Sequence, residues 1–214
     1  SKAITIEDGL KIVKARGKYM QELCPKGDWK MAAIMGLTEE QVNEGISKVK
    51  RGFVKAVNFN TEGQIVLSGE TKAIEEACTY LKEMGAKRAL PLNTAGPFHT
   101  EKLIESAKAL RAELENYNFN KFESKVIKNL TGDTYYSDED NIKEILANHI
   151  INPVQFKKTL KKMLEEGIDT FIEIGPGKTL SGFLKRIETD KEIKILNISN
   201  VETYKNTLSI LKGE

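Results

Sequence analysis

The sequence predicts an α/β fold, an open α/β layer interrupted by a ferredoxin-like subdomain, and three observations carry that reading. Residues 30–92 run in the order β-α-β-β-α-β, the split βαβ arrangement. From His99 onward, apolar runs of strand length alternate with helical patterns, as in a parallel layer. A chain of 214 residues, 40% hydrophobic and 30% charged, has enough apolar material to bury such a core and enough charge to coat it. The boundaries that follow assign 1–29 and 93–214 to the layer and 30–92 to the insert.

The elements follow in order. The first helix grows out of SKAITIEDGLKIV, where Thr5 caps and Asp8 stands three residues on. Its apolar stripe reads Ile6, Leu10, Val13, Gly17 and Met20, and it ends near CPKGD. KMAAIMGL is strand-like, and Thr38 opens a TEEQ capping box for the helix TEEQVNEGISKVK. FVKAVNF and GQIVLSG alternate on either side of a polar turn at Asn60 to Glu62, a hairpin signature. The helix ETKAIEEACTYLKEMG stops at Gly85, and AKRALPL returns as a strand. After the loop signal Ala-Gly-Pro comes a long helix, HTEKLIESAKALRAELENY, then a strand, SKVIKNL, a turn, TGD, and a capped helix, SDEDNIKEILANHI. Asn152 and Pro153 fit the N-cap and first position of a helix PVQFKKTLKKMLEE closed by Gly167. TFIEIG has the composition of a buried parallel strand, and GKTLSGFLKRI and YKNTLSILK are helices around a last strand, IKILNIS.

Several function classes are excluded. The formal net charge is +2 and lysines are interleaved with acids, as in NKFESKVIK, so no nucleic-acid stripe forms. No apolar run reaches membrane length and no signal peptide opens the chain. Cys24 and Cys78 have no partner at a ligand spacing, which argues against a disulfide framework and a metal site and for a reducing, cytoplasmic setting. GPGKT at 175–179 sits where a phosphate loop would lie, but the first glycine of a Walker loop is replaced by Ile172 within a strand. Gly175 and Gly177 instead allow a tight strand-to-helix turn, whose helix N-terminus can still face an anion. KRGFVKAVNF begins like an RNA-recognition motif, yet Val54, Lys55 and Ala56 break it and the strand is the wrong one.

What remains is a base without a nucleophile. His99 is one of two histidines and follows a loop. Ser47, Ser68 and Ser181 all lack flanking glycines on both sides, so none sits on a G-x-S-x-G elbow. Arg16 falls at the edge of the first helix's stripe, either as a snorkelling side chain at the core rim or as a planar fork for a carboxylate. Gln155, three residues after Asn152, fits an Asn-capped box, and His149 fits a cation stabilising a helix C-terminus.

The segments KARGKYMQ, VNFNTEGQIVLSG, PFHTEKL, NPVQFKKTL and EIGPGKTLSG, in this order, resemble malonyl-CoA:acyl carrier protein transacylases of bacterial fatty acid synthesis over the larger C-terminal part of such enzymes. The resemblance implies an α/β-hydrolase-like core with an inserted ferredoxin-like subdomain. It also implies transfer of malonyl from malonyl-CoA to the thiol of acyl carrier protein through an acyl-serine, with no cofactor. His99 is then the base, Arg16 binds the malonate carboxylate, and Gln155 offers its backbone carbonyl to the His99 ring. Phe98 fills the space a methyl branch needs, favouring malonyl.

The family's serine lies in a G-H-S-L-G-E elbow that this sequence lacks, as it lacks the Gly-Gln-Gly oxyanion loop. The expectation is therefore a piece of a transacylase that forms no acyl-enzyme alone. The alternatives are an acyltransferase domain of a polyketide synthase, which shares the fold, and a non-catalytic module that binds an acidic carrier protein.

Overall fold

A computed structural model of the chain describes residues 1–94 and 96–213, so Ala95 of the predicted Ala-Gly-Pro loop lies outside the described residues. The architecture is mixed α/β. Two compact units emerge, Ser1–Lys158 and Thr159–Glu214, and the predicted insert lies wholly within the first.

In the first unit, helix α1 (Ile6–Glu22) precedes strand β1 (Trp29–Met35), helix α2 (Glu39–Ser47), strands β2 (Val54–Thr61) and β3 (Gln64–Glu70), helix α3 (Thr71–Glu83) and strand β4 (Arg88–Leu92). These strands form one antiparallel sheet in the order β2-β3-β1-β4. Thr38 closes its capping box with Gln41, as the TEEQ signature requires.

Strand periodicity then sorts the side chains onto two buried faces. Ala32, Ile34, Ile65 and Leu67 meet Val42 of α2 and Ile74, Ala77 and Leu81 of α3. Met31, Ala33, Val57 and Val66 meet Leu92 and Phe98 on the other face. Each fully buried Leu or Ile here, such as Leu67 or Ile74, contributes about 1.5–3 kcal/mol of apolar transfer. Gly69 is required by close approach: a Cβ there would lie 2.2 Å from the Phe53 carbonyl oxygen.

Helix α1 departs from the predicted stripe. Ile6, Leu10 and Val13 are 85%, 67% and 66% exposed, whereas Ile12 and Met20 are buried. The cause is the neighbour it packs on, helix α4 (Ile104–Glu113). Ser106 of α4 donates to the Tyr19 carbonyl at 3.0 Å, and the Tyr19 hydroxyl donates to Glu113 at 3.3 Å. These bonds turn Ile12, Tyr19 and Met20 towards Leu103, Leu110, Leu114 and Ile150.

Three further expectations are corrected in this unit. The long helix after His99 is broken into a 3-10 turn at Glu101–Leu103, α4, and a second turn at Leu114–Asn116, so His99 precedes the helix. SKVIKNL forms no strand; only a bridge between Ile127 and Tyr135 closes over the TGD turn. The capped helix that follows, α5, covers only Ile142–Asn148 and is capped by Asn141.

Asn152 is not an N-cap. Helix α6 starts at Phe156 (Phe156–Glu165), and the Asn152 amide donates back to the Asn148 carbonyl at 2.9 Å. Val154 is extended instead, donating to Val57 and accepting from Phe59 along the free edge of β2. An unpaired sheet edge satisfies these backbone groups before the helix can begin.

The second unit contains strand β5 (Thr170–Ile174), helix α7 (Thr179–Leu184), strand β6 (Lys194–Ile198) and helix α8 (Val201–Lys212). β5 and β6 pair in parallel, as predicted for TFIEIG and IKILNIS. TFIEIG is not buried, however: Ile172 and Ile174 are 39% and 79% exposed, because a two-stranded sheet supplies too few neighbours to cover both faces. Asn200 caps α8, exchanging hydrogen bonds with Thr203.

Candidate active site

Gly96, Pro97 and Phe98 lead into His99 between the sheet and the α1–α4 cluster, and Phe98 packs against both. A Cβ on Gly96 would lie 2.7 Å from the Phe98 ring, so the ring is seated directly on that glycine. His99 has φ 60°, a left-handed conformation that costs a residue with a Cβ about 1–2 kcal/mol. The next residue holds it there. Thr100 is fully buried, donates to the Pro97 carbonyl at 2.6 Å, and accepts from the Lys102 amide.

The His99 Nδ1 lies 3.0 Å from the carbonyl oxygen of His149. An Nδ1–H donated to that oxygen leaves the lone pair on Nε2, the arrangement a general base needs. Burial lowers the His99 pKa from its ordinary value, aided by the positive charge of Arg16, against hydrogen bonds at the His149 carbonyl and at Asn152 that favour the charged form. At neutral pH the ring is a neutral acceptor.

This corrects the role expected of Gln155. Its amide donates to the Asn129 carbonyl at 3.1 Å, and its own carbonyl turns onto Gly132, where a Cβ would lie 2.4 Å from that oxygen. The extended course of Val154 along β2 fixes this direction. The carbonyl that faces His99 belongs instead to the residue ending α5, where backbone acceptors lack helical partners. That property was the available signal: the other histidine, at a helix C-terminus, offers a free carbonyl whatever its side chain does.

The expected role of His149 as a stabilising cation also fails. Burial, with the charges of His99 and Arg16, pushes its pKa down to about 4. Among the described residues its Nε2 has no hydrogen-bond partner and is buried, at a cost of about 1–3 kcal/mol.

Arg16, from α1, is partly buried, and burial lowers its pKa from the usual value without removing its charge. Among the described residues no carboxylate pairs with it. Beside it, Gly17, Met20, Gln21, Cys24 and Phe98 line a cavity of about 440 Å³. Both cysteines are free and half-buried, and burial raises both thiol pKa values, so neither is an activated nucleophile.

Four serines are engaged elsewhere. Ser47 donates to Glu44, Ser68 to Gly96, Ser106 to Tyr19 and Ser181 to Glu173. Glu173 also accepts from the amides of Leu180 and Ser181, so the N-terminus of α7 that GPGKT opens onto already holds this chain's own carboxylate. Among the described residues no cluster of His, Cys, Asp or Glu could hold a metal ion, and no helix is long and apolar enough to cross a membrane.

The family of acyl transferase domains matches residues 1–202. The malonyl CoA-acyl carrier protein transacylase of Bacillus subtilis is 37% identical over 214 residues, covering 99% of this chain and 67% of that protein. The transacylase of the same name from Escherichia coli K12 is 36% identical, covering 91% of this chain and 63% of that protein. The crystal structure of the malonyl CoA-acyl carrier protein transacylase from Clostridium perfringens superposes with a TM-score of 0.92 at 44% identity, covering 100% of this chain and 66% of that one. A malonyl-transacylase bound to a type II polyketide acyl-carrier protein superposes with a TM-score of 0.89 at 31% identity, covering 99% of this chain and 67% of that one. The chain thus spans about two thirds of the length of the proteins it matches. It belongs to the acyl transferase domain family.

Proposed function

We propose that this chain is the histidine- and arginine-bearing part of a malonyl-CoA:acyl carrier protein transacylase. The observation that carries the reading is Arg16: a partly buried guanidinium with no carboxylate partner among the described residues, close enough to His99 for its charge to act on the ring. An uncompensated buried cation beside a neutral base suits an acyl group that ends in a free carboxylate, as malonyl does.

In the first half of the reaction, Nε2 of His99 takes the proton of a serine hydroxyl as its oxygen attacks the thioester carbonyl. The resulting imidazolium returns that proton to the departing coenzyme A sulfur. In the second half the carrier protein thiol loses its proton to His99 and attacks the acyl-serine, and the serine oxygen takes the proton back. The His149 carbonyl keeps Nδ1–H in place throughout, where hydrolases use a carboxylate. A thioester needs less help than an amide, because its leaving thiol is weakly basic.

Arg16 orients the malonyl carboxylate and Phe98 limits the space at its α-carbon. Gln155 acts by anchoring the chain at Gly132 near this site. The reaction needs no cofactor. The fold reading that accompanies it is an α/β-hydrolase-like core, 1–29 and 93–214, carrying a ferredoxin-like subdomain at 30–92, in a cytoplasmic enzyme.

The test is transfer of labelled malonyl to carrier protein by a full-length enzyme containing this segment and a G-H-S-L-G-E elbow. Arg16→Ala should lower kcat/KM for malonyl-CoA by about 100-fold or more while leaving acetyl-CoA turnover unchanged. An unaltered malonyl-to-acetyl ratio would sink the assignment.

A further inference from the structure

We propose that the imidazole ring of His149 is a positioning residue for His99, an uncharged aromatic wedge that packs against the base and backs the imidazolium it forms. The proposal deepens the reading of His99 as the base and rests on it. It concerns the His149 side chain, separately from the carbonyl already described.

The two rings stand centroid to centroid at 5.2 Å, tilted by 50°, close enough for the π-face of one to meet a charge on the other. Behind His149 lies a cavity of about 300 Å³ walled by residues including Phe119, Phe122, Val126, Leu130, Ile142 and Leu146. Nε2 of His149 is buried with no hydrogen-bond partner among the described residues. An apolar side chain of similar volume fits such walls without an orphaned nitrogen, so packing alone does not account for an imidazole.

The charged and titratable groups around the pair are few. Arg16 of α1 acts on both rings, and Tyr136 lines the cavity. Among the described residues no carboxylate lines that cavity. With the low pKa of His149, the first proton taken up by the pair goes to His99, and His149 stays neutral to receive it as a dipole and a π-face. A second charge on His149 would oppose the imidazolium.

The chain has two histidines, so each His149 variant leaves a single imidazole to follow by proton and nitrogen NMR. In His149→Phe, His99 should remain in the Nδ1–H tautomer and titrate as in the wild type. In His149→Leu its pKa should fall by about half a unit, a threefold change in protonation constant. In a full-length enzyme carrying His149→Leu the acid limb of kcat/KM should move by the same amount. A leucine variant that titrates like the wild type overturns the proposal, as do phenylalanine and leucine variants shifted equally. The NMR result decides the ring contact whether or not malonyl transfer is observed, so the two readings fail separately.

Discussion

The Nδ1–H of His99 donates to the carbonyl oxygen of His149, a residue 50 positions later, at 3.0 Å. The contact joins the loop leaving the four-stranded sheet to the end of α5, with Ile150, fully buried in the α1–α4 cluster, fixing the second partner. A base held this way needs no buried acid. Burial, helped by Arg16, favours the neutral ring and outweighs the hydrogen bonds that favour the charged one.

Stability should fall on acidification through the histidines. Both have folded pKa values below the ordinary 6.5, and that of His149 is about 4. Above 6.5 neither state carries the protons. As pH falls through 6.5 the unfolded chain takes them up and the folded chain does not, so stability is lost progressively down to about 4 for His149. The His149 share is on the order of 3 kcal/mol. Urea unfolding at pH 7 and pH 4.5 should show a smaller loss in His149→Phe than in the wild type. An equal loss in both would show that His149 remains protonated in the folded protein.

Glu173 should act as the cap of α7. Its carboxylate accepts from the Leu180 and Ser181 amides at 3.1 and 2.8 Å and from the Ser181 hydroxyl at 2.6 Å. Burial works to raise its pKa, but these bonds outweigh burial and leave it lowered. Glu173→Ala should destabilise the second unit by about 1 kcal/mol and expose the Leu180 and Ser181 amides to exchange. Glu173→Gln, which keeps one acceptor oxygen, should recover part of that protection. Unchanged exchange in the alanine variant would remove the capping role.

Local signals explain why much of this was legible in the sequence. Thr38 with Gln41, the alternation in FVKAVNF and GQIVLSG, and the helix of residues 71–83 each specify their element through neighbours within a few positions. Where reading failed, the deciding partner was distant. Asn152, Pro153 and Val154 match a helix start by composition, yet the unpaired edge of β2, about a hundred residues earlier, draws Val154 into an extended bridge. That displacement in turn carried the carbonyl of Gln155 away from His99. Ile6, Leu10 and Val13 make a regular helical stripe, but the bonds from Ser106 and to Glu113 choose another face of α1. The loop before His99 and its imidazole are marks that residue identity carries. Its acceptor was missed because a backbone carbonyl leaves no mark on residue identity.

Arg16 should be a liability to the fold that a ligand relieves. Its guanidinium is desolvated with no carboxylate partner among the described residues. Replacing an unpaired buried charge with an apolar side chain of similar length is neutral or stabilising in general, because the desolvation penalty disappears and the packing stays. Arg16→Met should therefore unfold at the wild-type temperature or above it. Adding malonate should raise the wild-type transition, since a dicarboxylate that binds only the folded chain shifts the equilibrium by mass action, and should leave that of Arg16→Met where it was. Acetate at equal ionic strength controls for screening and supplies one carboxylate without the second. A destabilisation of more than about 2 kcal/mol in the methionine variant would mean that the guanidinium is held by the fold itself. Equal malonate shifts in both proteins would place the anion somewhere other than Arg16.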